Sequence, residues 1–144
     1  MEEKAKIELN FVGIPCYKVK NGEEYMNPSQ QKHFIQVLTT WKSMLMKDAD
    51  KAVDYLHENK NCPDPLDRAA HEDEQFFELR TRDRERKLIA KIDQTIEAIL
   101  KDDYGFCSSC DREIGIGRLE ARPTATQCID CKTFSEIKEN REVY

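Results

Sequence analysis

Between residues 27 and 103 the chain holds two stretches in which apolar side chains recur every three or four positions. Phe34, Leu38, Trp41 and Leu45 are spaced by four, three and four, and the pattern continues through Ala52 and Tyr55 with Asp48 as a polar interruption. This is the heptad signature of a helix that buries one stripe against a partner. Asn27, Pro28 and Gln30 suit the cap, first-turn and capping-box positions, so the helix should start there. A second helix is predicted from about Pro65 to Lys101, with Phe76, Leu79, Ile89, Ile92, Ile96 and Ile99 on its stripe. Between the two, Pro63 and Pro65 stop the first helix, because a residue preceding proline is biased away from helical backbone.

Folding the second helix back about residue 65 pairs positions whose numbers total about 130. Phe34 then faces Ile96, Leu38 faces Ile92 and Trp41 faces Ile89, while Asp48 falls beside Arg82 and Asp83 as a mid-hairpin ionic layer. At the helical rise, an arm of about 30 residues reaches on the order of 45 Å. Trp41 and the phenylalanines are assigned to the core. The expected fold class is mainly α: a long antiparallel coiled-coil hairpin over residues 27–103 with its tip at 59–68. A four-cysteine zinc-finger module follows at 104–131, and a C-terminal helix at 132–144. Residues 1–26, with Gly13, Pro15 and Gly22, read as a loosely structured arm near the base of the hairpin.

Composition agrees with a fold that has much solvated helix and little core, since 39% of residues are hydrophobic and 35% charged. The formal net charge is -5. Affinity for free DNA rests on neutralising phosphates, so an acidic chain is better suited to a protein partner. No signal peptide or long apolar span is visible, and the cytoplasm is the expected compartment. Cysteines there serve metals or redox chemistry more often than structural disulfides.

Two C-x-x-C pairs, Cys107/Cys110 and Cys128/Cys131, lie seventeen residues apart. That spacing reads as a four-thiolate zinc site, with each pair giving two sulfurs to one ion. A catalytic zinc needs an open position, and four thiolates leave none, so the ion should be structural. A thioredoxin-like pair would need a βαβ context, which the helical pattern does not provide. Cys16 and Cys62 stand apart as free thiols. From Tyr104 to Tyr144 six Lys/Arg oppose seven Asp/Glu, which does not make a phosphate-binding surface. His33, His57 and His71 are scattered on helices without evident partners, and none is assigned to a metal.

The run from Tyr104 to Ala125, Tyr-Gly-Phe-Cys-Ser-Ser-Cys-Asp-Arg-Glu-Ile-Gly-Ile-Gly-Arg-Leu-Glu-Ala-Arg-Pro-Thr-Ala, followed by Cys128-Ile-Asp-Cys-Lys, resembles the zinc finger of the DksA/TraR family. Asp64-Pro-Leu-Asp-Arg-Ala-Ala, Arg80-Thr-Arg-Asp-Arg-Glu-Arg-Lys-Leu-Ile and Gly22-Glu-Glu-Tyr-Met-Asn resemble its hairpin. The resemblance covers about residues 22–141. It implies a transcription factor, not an enzyme, whose hairpin enters the secondary channel of RNA polymerase and destabilises promoter open complexes. It also implies potentiation by the alarmone ppGpp, with repression of ribosomal RNA promoters and activation of some amino-acid biosynthesis promoters.

The resemblance makes Asp64, Asp67 and Ala69 the tip residues near the polymerase active site. Helix capping by Asp64, with Pro65 and Asp67 in the first turn, explains both acids equally well. It places alarmone contacts at Leu88, Lys91, Arg122 and Lys132, with Arg84 and Lys87 as weaker candidates. Gly117 departs from the pattern, because many relatives are expected to carry a basic residue there. Arg80, Arg84, Lys87 and Lys91 share one helix face; the ordinary reading of such a stripe is a solvated coiled-coil surface. Rival readings are a Gre-type transcript-cleavage factor, a DNA-binding zinc protein and a thiol redox sensor. The hairpin satisfies its own seam, so a monomer is expected.

Overall fold

A computed structural model describes residues 7–58 and 64–143, without the side chains of 52–58. Expectations for Ala52, Tyr55, His57, Cys62 and Pro63 lie outside the described residues. The chain is mainly helical, with α1 (Pro28–Glu58), α2 (Pro65–Leu100), α3 (Ile116–Ala121) and α4 (Ile129–Glu142). Two isolated antiparallel bridges, Leu9–Pro15 and Phe106–Glu113, complete it. The helices divide between two compact units, one of Met1–Leu38 with Thr95–Tyr144 and one of Thr39–Gln94.

α1 starts where its capping residues place it. The Asn27 Oδ1 accepts from the Gln30 N–H at 2.9 Å, and the Gln30 Oε1 accepts from the Met26 N–H at 2.7 Å. The reciprocal pair is shifted by one residue from the usual capping box, and it leaves the buried Gln30 amide satisfied. Cross-helix contacts set the hairpin register. The Gln31 Nε2 donates to Asp102 at 2.9 Å in the first unit, and in the second unit the Lys42 Nζ donates to Asp93 at 2.7 Å and Arg82 to the Ala49 carbonyl at 3.3 Å. These register totals lie close to the expected one.

The ionic layer does not form as expected. Asp48 is exposed, and among the described residues no ion pair joins it to Arg82. Arg82 instead turns half-buried toward the α1 backbone, where its Nε finds no partner among the described residues.

A second correction concerns the α2 stripe. Ile92 and Ile99 are buried and Ile89 and Ile96 half-buried, but Phe76 and Leu79 are 59% and 55% exposed. Half-buried positions nearer the tip include His71, Gln75, Glu78, Arg82 and Glu85. Counting back from Ile99 by alternate threes and fours reaches those residues and misses Phe76 and Leu79 by one. The heptad phase is set by the isoleucines, and helical geometry carries it toward the tip regardless of which residue there is apolar. Phe34 is a core residue and Trp41 is half-buried, whereas Phe11, Phe77, Phe106 and Phe134 are exposed, against the expectation for the phenylalanines.

Residues 7–26 form turns and one isolated bridge, tied down by tertiary hydrogen bonds. Asn10 folds a tight turn in which its Oδ1 accepts from the Val12 and Ile14 N–H groups, with Gly13 in the left-handed region. The anchor of this segment is Glu120 at the end of α3, only 7% exposed. Its carboxylate accepts from the Tyr17 N–H at 2.8 Å and the Asn10 amide at 3.1 Å, and pairs with the His33 Nε2 at 2.5 Å. His33 therefore has a partner, as does His71, whose Nε2 meets the Gln75 amide at 3.1 Å. A buried carboxylate persists only when its lone pairs are used. Glu120→Ala should cost about 1–3 kcal/mol by leaving the Tyr17 and Asn10 donors unpaired. Glu120→Gln, which keeps an acceptor, should lose less. A urea midpoint unchanged in Glu120→Ala would remove this anchor from the account.

Candidate metal centre and hairpin tip

Local backbone chemistry builds the cysteine cluster. The Cys107 N–H donates to the Arg112 carbonyl at 2.8 Å and the Asp111 N–H returns to the Cys107 carbonyl at 3.0 Å, closing a tight knuckle around the first pair. Asp111 takes a φ of 59° to complete the turn. Just upstream, Gly105 has a φ of 92°, and a Cβ there would lie 2.7 Å from the Met26 side chain, so glycine alone fits. Tyr25 crosses this point, donating its hydroxyl to the Gly105 carbonyl at 2.6 Å and accepting from the Gly115 N–H at 3.1 Å.

The second pair is presented by a helix end. Cys128 is the extended N-cap residue of α4 and Cys131 lies in its first turn. α4 thus starts three residues before the expected position 132, because Cys128 supplies the break and Ile129 the first helical residue. The positive end of the helix dipole there favours thiolates. The two pairs are tied together by the Ser108 N–H donating to Thr126 at 2.9 Å and Gln127 to the Ser109 hydroxyl at 3.1 Å.

All four sulfurs lie within 4.8 Å of one another, and Cys110 and Cys128 are 3.6 Å apart. Tetrahedral zinc–thiolate bonds place sulfurs about 3.8 Å apart, so the cage fits the ion. The sulfurs also compete for charge, so that binding all four as thiolates takes a cation among them. N–H groups, led by that of Cys128, hold the Cys107 thiol down to about 6. Sharing hydrogen with Cys128 and the other sulfurs pushes Cys131 up to about 12, and Cys110 is also raised, chiefly by burial and by its sulfur neighbours. Four thiolates cannot coexist at this separation without a positive charge among them. The site is a structural zinc site of the four-cysteine type.

At the other end of α2 the two tip acids differ. The Asp64 Oδ1 accepts from the Leu66 N–H at 3.1 Å and so caps the helix. Asp67 lies in the first turn, exposed, and among the described residues its carboxylate has no partner. Capping therefore accounts for Asp64 and not for Asp67. Ala69 is exposed.

Of the candidate alarmone residues, Leu88 is half-buried and Lys91, Arg84 and Lys87 are exposed on α2. Arg122 is exposed after α3, and Lys132 pairs with Glu136 at 3.7 Å on α4. Gly117 has open space around it. Glu120 and His33, the buried hydrogen-bonded pair that anchors residues 7–26, carry no sequence signal that would single them out. No local motif marks a pair 87 residues apart.

A helical hairpin joined to a four-cysteine zinc module defines the class of protein to which this chain is to be compared. Residues 30–99 match the family model of the DnaK suppressor protein DksA, N-terminal domain, and residues 102–136 match the prokaryotic dksA/traR C4-type zinc finger. The chain is 52% identical to the RNA polymerase-binding transcription factor DksA of Escherichia coli K12 over 134 residues, 92% of this chain and 89% of that protein. It is 50% identical to the protein of the same description from Buchnera aphidicola subsp. Acyrthosiphon pisum over the same shares. The structure of transcription factor DksA2 from Pseudomonas aeruginosa superposes with a TM-score of 0.72 at 35% identity, covering 83% of this chain and 91% of that one. The chain belongs to the DksA family. No helix of the described residues is long and apolar enough to cross a membrane.

Proposed function

We propose that this chain is an RNA polymerase-binding transcription factor, whose zinc module is structural and whose hairpin carries the regulatory contacts. The reading is supported above all by identity of 52% across 92% of the chain with a relative described in those words. The hairpin enters the secondary channel of the polymerase, with Asp67 and Ala69 near its active site and Asp64 shaping the helix end that presents them. ppGpp strengthens the effect through Leu88, Lys91, Arg122 and Lys132, with Arg84 and Lys87 as lesser contacts. The chain acts as a monomer in the cytoplasm, where its polymerase is. Its functional parts are an arm over residues 1–26, the hairpin over 27–103, the finger over 104–131 and a C-terminal helix.

The test is the lifetime of open complexes on a ribosomal RNA promoter with purified polymerase, with and without ppGpp. The expected result is a shorter lifetime with the protein present, shortened further by ppGpp. An unchanged lifetime at saturating binding sinks the reading. Stimulated cleavage of RNA in stalled elongation complexes would favour a Gre-type factor. The use of Asp64 as a helix cap, three residues from Asp67, argues against that, because holding a catalytic magnesium takes paired carboxylates.

A further inference from the structure

The knuckle that carries Cys107 and Cys110 is a short antiparallel ladder. The Ile114 N–H donates to the Gly105 carbonyl at 2.9 Å and the Cys107 N–H to the Arg112 carbonyl at 2.8 Å, with the Phe106–Glu113 bridge between them. Two strands of this length do not hold together in water by themselves. The sulfurs gather at the turn end of the ladder, and Tyr25 lies across its open end.

One hydroxyl closes that end. It donates to the Gly105 carbonyl on one side at 2.6 Å and accepts from the Gly115 N–H on the other at 3.1 Å. The Tyr25 ring meets Phe106 edge-on, with centroids 5.4 Å apart. The start of α1 fixes where this hydroxyl lies. Met26, the next residue, is buried and takes a φ of 54°, which a residue with a side chain holds only when its surroundings impose it. Those surroundings are the Gln30 Oε1, which accepts from the Met26 N–H at 2.7 Å, and Gly105, whose lack of a Cβ leaves room for the Met26 side chain. Capping of α1 and closure of the knuckle therefore meet at residues 25 and 26.

We propose that Tyr25 is a positioning residue of the zinc centre, and that its hydroxyl couples zinc binding by the first cysteine pair to the capped start of α1. The hydroxyl bonds to backbone, not to sulfur, so it acts through the ladder that spaces Cys107 and Cys110. With the open end pinned, less order has to be imposed on the two thiols when the ion binds. Such a coupling is reciprocal. Whatever factor the hydroxyl adds to zinc affinity, zinc adds to the seating of Tyr25 and Met26 on the module.

The test is the zinc affinity of the full chain, by competition with a chromogenic chelator, together with amide exchange measured with and without zinc. It compares wild type with Tyr25→Phe, which keeps the ring against Phe106 and loses only the hydroxyl. Zinc affinity of Tyr25→Phe should fall roughly 10-fold, the lower end of what losing a group beyond the ligands costs. Cobalt bound in place of zinc should give the same thiolate absorption in both proteins, because the four ligands are unaltered. The Met26 amide of wild type should lose protection when zinc is removed, and in Tyr25→Phe zinc should change that protection far less. Tyr17→Phe, whose lost hydroxyl bonds to Glu23 within the arm, should match wild type in zinc affinity. Equal zinc affinity in Tyr25→Phe and wild type overturns the proposal. An equal loss in Tyr17→Phe also overturns it, by assigning the effect to general stability. Altered cobalt absorption in Tyr25→Phe, or Met26 protection in wild type that ignores zinc, does the same.

Discussion

Removing the zinc with a strong chelator is expected to unfold residues 104–131 at room temperature. Structural four-ligand zinc sites contribute roughly 10–16 kcal/mol of apparent binding free energy at neutral pH, as much as or more than the whole stability of about 5–15 kcal/mol of an ordinary domain. Apart from the Tyr25 and Glu120 hydrogen bonds, packing holds the module only weakly. Its buried apolar residues are few, chiefly Tyr104, Ile114 and Leu119, and its one β-bridge joins single residues. Amide exchange should show Ser108, Asp111 and Cys107 losing protection on chelation, while the α2 amides around Ile92 keep theirs. Reloading zinc at pH 7 should release protons, because the raised Cys110 and Cys131 thiols must ionise to bind the ion. Protons therefore compete with zinc, and apparent affinity should fall as the pH falls. Protection across residues 104–131 that survives complete chelation would show that the packing, not the ion, holds the module.

The zinc site was fully legible in the sequence because thiolate coordination needs two short local motifs, and the intervening residues have only to return the chain. The helices were legible for the same reason, since capping and periodicity are local. A local pattern does not carry its own phase. Phe76 and Leu79 look like seam residues three apart, yet the isoleucines downstream fix a phase that leaves both outside. Arg82 lands on the seam, as the register requires, but its half-buried guanidinium donates to the Ala49 carbonyl at 3.3 Å instead of pairing with an aspartate. The Glu120 anchor was out of reach for a different reason. Its partners Asn10, Tyr17 and His33 come from two distant segments, and burial of a glutamate carries no sequence signature.

The two corrections near the tip are connected. On the α2 side, His71, Gln75, Glu78, Arg82 and Glu85 offer the seam less apolar surface than isoleucines would. The apolar side chains that could have tightened it face outward.

Asp67→Asn is expected to abolish most of the effect on open complexes while leaving the fold and polymerase binding in place. The carboxylate is exposed, in the first turn of α2, and uncommitted among the described residues, so the folded chain loses only its favourable interaction with the helix dipole. That costs about 0.3–1 kcal/mol at most. A hydrogen bond to a charged group that forms only in the working complex is worth about 1.5–3 kcal/mol, or roughly a 10- to 150-fold change in the equilibrium it biases. Asn keeps the shape and one acceptor but removes the charge, so the variant isolates the electrostatic part. Asp64→Asn supplies the contrast, because asparagine caps a helix as well as aspartate does and the bond to the Leu66 N–H can persist. If Asp64 acts mainly as a cap, Asp64→Asn retains both stability and regulation, whereas Asp64→Ala loses about 1 kcal/mol of stability. Open-complex lifetimes measured for the three variants at saturating protein decide the assignment. Wild-type shortening by Asp67→Asn would remove its charge from the mechanism and direct attention to the helix end as a steric element.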